Sequence, residues 1–309
     1  IQYKLIKAPI SSLTLEALKD FGMDRKSMLK SKNMFALGIV MYLFNRDITQ
    51  LNHYFETKFK NKPDVIKANQ TVVAAGYSYA DTLEIFANTY RIQPAELPKG
   101  KYRDISGNVA TAWGLMAASE RSGRQLFIGS YPITPATDIL VELTKYKNLK
   151  VKAYQAEDEI AGITSSIGAS FAGCLSVTTT SGPGLSLKSE ALGLAVMTEL
   201  PLVIIDVQRG GPSTGLPTKT EQSDLMQALY GRNGDAPLIV LAAKSSVDCF
   251  YSAYEACKLA LEHMTPVILL TDGALGNGTE IFRIPKVADL PAIVPPIAKA
   301  NDPDYLPYR

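Results

Sequence analysis

The chain has 309 residues, 46% hydrophobic and 20% charged, a composition proper to a globular protein with room for one large domain and a smaller one. Its 32 Lys and Arg stand against 30 Asp and Glu, a formal net charge of +2; with neither sign dominant and no basic run, nucleic acid and membrane surfaces are poor partners. Cys174, Cys249 and Cys257 form no C-x-x-C pair, so no zinc or iron–sulfur site is expected from this chain, and a reducing cytoplasm is the simplest setting.

No apolar run is long enough to span a membrane, and no signal peptide opens the chain. The sequence begins at Ile1 and ends in "DPDYLPYR", so both ends are expected to be cuts within a longer polypeptide. Residues 1–95 carry helical apolar spacing and many lysines, with "NMFALGIVMYLF" (33–44) expected to be buried. "RIQPAELPKGKYRDISGN" (91–108), rich in proline, glycine and charge, reads as a linker.

From Ser106 onward strands and helices alternate. "SGNVATAWGLMAASERSG" is expected to be a helix, "QLFIG" a strand, and "ATDILVELTKY" a helix. The strand "LKVKAYQA" then precedes the helix "EDEIAGITSSIGASFAG". "LSVTTT" is a strand, "GLSLKSEALGLAVM" one helix, and "PLVIIDV" a strand. The helix "SVDCFYSAYEACKLALEHM" leads to the strand "PVILLTD". Short apolar strands between helices predict an α/β fold with a parallel sheet covered on both faces, whose ligands bind beyond the carboxyl ends of the strands. Residues 96–290 form this domain, and 291–309, with five prolines in "PAIVPPIAKANDPDYLPYR", read as a linker.

Four loops follow strand ends: "SYPITP", "AEDE", "TTTSGPG" and "QRGGPSTGLPTKTEQ". A Walker loop needs a second glycine before its lysine; counted from Gly182 that place is Leu187, which excludes a P-loop. "SGPG" otherwise reads as a tight strand-to-helix turn. The carboxylates of Glu157, Asp158 and Glu159 open a helix. They either offset its dipole, at about 0.3–1 kcal/mol each, or include a proton-handling group. In "YPITP", Pro135 suits the first helical position, which makes Thr134 the expected N-cap and a place for an anion.

Taken in order, "YPITP", "EDEIAGITSSIGASFAG", "TTTSGPGLSLKSEALGLA" and "DVQRGGPSTGLPTKTEQSDLMQALYGRNGDAP" resemble the alpha subunit of 2-oxoacid:ferredoxin oxidoreductases of the 2-oxoglutarate type, over about residues 106–290. Residues 1–95 are similar to the closing part of the family's gamma domain. The resemblance implies a pyrimidine-binding domain for thiamine diphosphate. Glu159, with Glu157 as runner-up, would hydrogen-bond the aminopyrimidine ring nitrogen, so that the neighbouring imino nitrogen can deprotonate the thiazolium carbon. Gly182 and Gly184 would also face the cofactor. Thr134 and Arg209 would hold the substrate carboxylate and Lys219 a second one, although solvation accounts for Lys219 equally well.

The family's diphosphate and Mg²⁺ site needs a G-D-G segment that this sequence lacks; "TDGALGN" is a compressed imitation. The resemblance therefore assigns diphosphate, Mg²⁺ and the iron–sulfur cluster to a beta subunit, in a hetero-oligomer that uses a 2-oxoacid, coenzyme A and ferredoxin. Pyruvate or another 2-oxoacid is an alternative substrate, and a non-catalytic assembly subunit is the competing function.

Overall fold

In the computed structural model, which describes residues 5–83, 88–298 and 303–306, the chain divides after Pro98 into two units. The first is helical: α1 (Ile10–Ala17), α2 (Arg25–Leu29), α3 (Lys32–Leu43), α4 (Thr49–Lys58) and α5 (Pro63–Thr82). α3 and α5 cross where Gly38 meets Val73 and Gly76 meets Phe35. A Cβ on either glycine would lie 2.2 or 2.1 Å from the facing carbonyl oxygen. The segment 33–44 is less buried than its composition predicts: Phe35 and Gly38 are buried, while Val40 is 46% exposed.

The second unit contains β1 (Tyr102–Ser106), α6 (Gly107–Ser122), β2 (Leu126–Ser130), α7 (Thr137–Thr144), β3 (Val151–Gln155), α8 (Glu159–Phe171) and β4 (Leu175–Thr180). It continues with α9 (Gly182–Leu187), α10 (Ser189–Met197), β5 (Leu202–Gln208), α11 (Leu225–Tyr230), β6 (Ile239–Ala242), α12 (Asp248–His263), β7 (Pro266–Asp272), α13 (Gly273–Asn277) and β8 (Thr279–Arg283). Six strands pair in parallel in the order β3-β2-β4-β5-β7-β6. β6, which the sequence reading passes over, forms one edge.

Alternation along β5 separates two cores. Val203, Ile205 and Val207 pack with α6, α7 and α12, whereas Leu202 and Ile204 pack with α8, α10 and α11. All seven residues of β4's neighbour β5 are buried, as a strand covered on both faces requires.

Three sequence expectations are corrected here. Residues 102–106 are strand β1, not linker; β1 pairs antiparallel with β8, from Tyr102↔Arg283 to Ser106↔Thr279. Only Ile105 of its five residues is buried and its partner is far downstream, so no local apolar pattern marks it. The single helix expected over 184–197 is two helices that break at Lys188. The stretch after Pro291 contributes to the core: Ile293 is buried, and the Tyr254 hydroxyl donates to the Pro291 carbonyl.

Candidate active site

Because the six strands are parallel, the loops after β2, β3, β4 and β5 leave one edge of the sheet. The chain goes from β2 outward to β3, then crosses to β4 on β2's other side, so a topological switch lies between β2 and β4. The β2–β4 ladder ends at Ile128↔Val177. Beyond it, Ser166 of α8 accepts from the Gly129 N–H (3.2 Å) and donates to the Val177 carbonyl (2.9 Å). Further out, the Ser130 hydroxyl accepts from the Thr179 N–H at 2.7 Å. The small residues of α8 thus serve close packing on β2, with Gly162 against Gly129 and Ser130.

The three acidic residues at this edge have separate fates. Asp158 is the N-cap of α8 and accepts from the Ala161 N–H at 2.6 Å. Glu157 is exposed. Glu159, the first helical residue, is only 9% exposed, and its carboxyl takes part in no hydrogen bond among the described residues. The turn after β4 closes over it. A Cβ on Gly184 would sit 2.1 Å from Thr180 Oγ1, 2.9 Å from Glu159 Cγ and 3.2 Å from Glu159 Oε1. One on Gly182 would lie 2.8 Å from Asp224 Oδ2. A buried acceptor without a protein donor, with a glycine where a side chain would fill the recess, fits a flat heteroaromatic ring that presents a ring nitrogen.

Thr134 does not cap a helix. α7 begins at Thr137, with Ala136 in the cap position and no capping side chain. Pro135 lies in the preceding turn, where the Thr137 N–H bonds the Ile133 carbonyl (3.0 Å), so the backbone already satisfies the donor that a cap would take. Asn108 Nδ2 fixes the turn by donating to the Pro135 carbonyl at 2.9 Å.

Thr134 and Arg209 are brought together. Arg209, 6% exposed at the end of β5, donates to the Thr134 carbonyl (2.7 Å) and the Thr214 carbonyl (2.8 Å). Its Nε is buried without a partner among the described residues, and the Thr134 side chain is exposed. Lys219 lies at the base of the same loop: its carbonyl accepts from the Gly210 N–H (2.7 Å), while its side chain is exposed.

Arg209 also lines a cleft of about 480 Å³ with Gly182, Pro183, Ser213, Glu221 and Asp224. Beside it lies a pair that sequence reasoning missed. Asp206 is fully buried on β5, and burial, then the neighbouring Asp224 carboxylate, raises its carboxyl far above the usual range. Burial raises Asp224 as well. Among the described residues both Asp206 oxygens and Asp224 Oδ2 take no hydrogen bond from an N–H or O–H, and the closeness of the two carboxyls adds to burial in favouring a protonated Asp206. An aspartate inside the apolar run "PLVIIDV" was the available signal. Asp272, in the imitation of a metal motif, is instead an N-cap: it accepts from Ala274 (2.7 Å), Leu275 (3.0 Å) and Gln222 Nε2 (2.6 Å).

Residues 121–307 match the family described as pyruvate flavodoxin/ferredoxin oxidoreductase, thiamine diphosphate-binding. The chain is 53% identical over 306 residues to the 2-oxoglutarate oxidoreductase subunit KorA of Mycobacterium tuberculosis, covering 99% of this chain and 47% of that one. It is 37% identical over 269 residues to the alpha subunit of 2-oxoacid:ferredoxin oxidoreductase 1 of Aeropyrum pernix, covering 84% and 41%. It also superposes on the 2-oxoglutarate:ferredoxin oxidoreductase of Magnetococcus marinus, solved with 2-oxoglutarate, coenzyme A and succinyl-CoA bound, with TM-score 0.82, 38% identity, and 93% and 49% coverage. The chain spans about half the length of the curated relatives it matches. With more than half of its residues inside the family match, the chain belongs to the thiamine diphosphate-binding family of pyruvate flavodoxin/ferredoxin oxidoreductases.

Proposed function

We propose that this chain supplies the pyrimidine-facing half of the thiamine diphosphate site in a 2-oxoacid:ferredoxin oxidoreductase. The enzyme would oxidatively decarboxylate a 2-oxoacid, 2-oxoglutarate above others, to the acyl-coenzyme A and pass the electrons to ferredoxin. The observation that carries this reading is the buried, unpartnered Glu159 carboxyl beneath Gly184 at the sheet's switch point. The 53% identity to a 2-oxoglutarate oxidoreductase subunit supports the substrate.

Bound thiamine diphosphate supplies a thiazolium carbon that can become a nucleophile and hold the electrons left by decarboxylation. The chain's own residues do the rest of the work on this side. Glu159 accepts a hydrogen bond from, or shares a proton with, the pyrimidine ring nitrogen, while Gly182 and Gly184 let the ring approach the backbone. Arg209 uses two of the five N–H donors of a guanidinium on the loop carbonyls of Thr134 and Thr214. That leaves three N–H directions, and the Thr134 hydroxyl, for the carboxylate beside the substrate carbonyl. Lys219 is the candidate for the distal carboxylate of 2-oxoglutarate.

The diphosphate, Mg²⁺ and the iron–sulfur cluster belong to a beta subunit in this reading. It is supported by the lack of a G-D-G segment and by Asp272 being spent on a helix cap. Among the described residues no three His, Cys, Asp or Glu side chains gather to hold a metal ion. The N-terminal helical unit would be the closing part of a gamma domain fused in front of alpha, consistent with the first match running over 99% of the chain. Calorimetry tests the shared site. This chain alone should bind thiamine diphosphate weakly and without response to Mg²⁺, and addition of a beta subunit should give tight, Mg²⁺-dependent binding and turnover of 2-oxoglutarate. Tight Mg²⁺-dependent binding by this chain alone would contradict it.

A further inference from the structure

Where α9 gives way to α10, the side chain of Lys188 turns inward and keeps no exposed surface. Its ammonium donates to the backbone carbonyl of Glu159 at 2.7 Å, the one hydrogen bond it makes among the described residues. Burying an ammonium is costly, and a lysine needed only for packing is better replaced by an apolar residue of similar volume.

The surroundings show what the charge faces. Glu159 and Asp158, both from the first turn of α8, act on Lys188. β4 presents hydroxyls on this side, Thr178 and Thr180, and Asp206 of β5 is engaged with Asp224. Glu190 of α10 is exposed to solvent. The nearest charge that is both buried and unpaired by hydrogen bonds is therefore Glu159.

We propose that Lys188 is the positioning residue of Glu159: its bond to the Glu159 carbonyl fixes the first turn of α8 and holds an ammonium beside that turn. This rests on the reading of Glu159 as the partner of the pyrimidine ring nitrogen. With the ammonium held on the Glu159 side, a proton shared between Glu159 and the ring nitrogen rests nearer the ring. In a site screened from water that preference is stronger than at a surface. Burial in turn pushes the Lys188 amine down to about 8, which leaves it charged at neutral pH and neutral only slightly above it.

The test is circular dichroism of the bound pyrimidine, whose protonated and neutral forms differ in spectrum, in the complex with its beta subunit. The unsubstituted complex should lose the protonated-ring signal as pH rises through about 8, where Lys188 loses its charge. Lys188→Arg, which does not titrate there, should keep the signal to about pH 10. Lys188→Met should show at least about a tenfold smaller ratio of protonated to neutral ring at pH 7. A signal in the unsubstituted complex that is flat to about pH 10, or a Lys188→Met signal equal to it, overturns the proposal. If Lys188→Met does not assemble, the unsubstituted and Arg complexes decide the matter alone. Glu159→Gln separates the two readings. Loss of the signal there with a native Lys188→Met spectrum removes only Lys188, whereas a native signal in Glu159→Gln removes the reading of Glu159 itself.

Discussion

Gly184 lies over Glu159 so closely that a Cβ on it would come 2.9 Å from Glu159 Cγ and 2.1 Å from Thr180 Oγ1. Both neighbours are buried, so neither can swing into solvent. Gly184→Ala should therefore destabilise the chain by about 1–3 kcal/mol, the usual cost of overpacking, and displace the Glu159 carboxyl from the ring it would meet. Thermal denaturation with calorimetry of thiamine diphosphate binding to the complex checks both effects. A native melting temperature and native affinity would show that the turn has slack.

Arg209 ties the loop after β2 to the loop after β5 through the carbonyls of Thr134 and Thr214. Every 2-oxoacid has a carboxylate beside its carbonyl, so Arg209→Met should weaken all of them alike. Truncating one side of a buried charged pair costs about 2–5 kcal/mol, and kcat/KM for 2-oxoglutarate and 2-oxobutyrate should fall together by roughly 30-fold or more. Arg209→Lys should not restore activity, because an ammonium cannot bridge two carbonyls as the planar fork does.

Lys219 is exposed, yet its backbone is bonded to Gly210, the residue next to Arg209. Lys219→Met should lower kcat/KM for 2-oxoglutarate by about tenfold and spare 2-oxobutyrate, which has no second carboxylate. Equal losses for the two acids would remove Lys219 from substrate choice.

The Asp206–Asp224 pair makes stability depend on pH, and the sign follows from the direction of the shift. Asp206 in the folded chain holds its proton well above its ordinary value of 3.8. The folded state thus binds more protons than the unfolded one above about pH 4, and the stabilisation from this pair is lost as pH rises through the raised value. Asp206→Asn keeps a donor toward Asp224 without a charge. It should raise stability by about 1–3 kcal/mol at pH 7 and by much less near pH 4. Melting temperatures of both chains across that range give the comparison; a constant difference would show that Asp206 and Asp224 do not share a proton.

The features that sequence exposes are those with a local cause. β2, β5 and β7 are apolar runs between helices and β4 ends in a β-branched run, and glycine or proline follows where the chain must turn. The helix α8 follows from "AEDEIAG" because Asp158 is a strong N-cap, whereas the choice of Glu159 over Glu157 as the buried carboxyl comes from the turn after β4 that closes over it. The rest is set by distant partners. β1 is held by β8, Arg209 by carbonyls from two other loops, and Lys188 by the start of a helix that the chain had left long before. Lys188 in "GLSLKSEALGLA" looks like the misplaced lysine of a failed phosphate loop, and only packing shows that it points at Glu159. Thr134 was misjudged for the opposite reason: the local rule placed Pro135 at a helix start, and the backbone bond from Thr137 to Ile133 made that cap unnecessary.

The central claim is that Glu159 handles the proton of the pyrimidine ring. It is tested most directly by the rate of hydrogen–deuterium exchange at the thiazolium carbon of thiamine diphosphate in the assembled complex carrying Glu159→Gln. The carboxamide preserves shape and cannot take up the proton, so exchange should slow by about 10²–10⁴-fold while the complex stays assembled. Exchange at the rate of the unsubstituted complex would contradict the assignment.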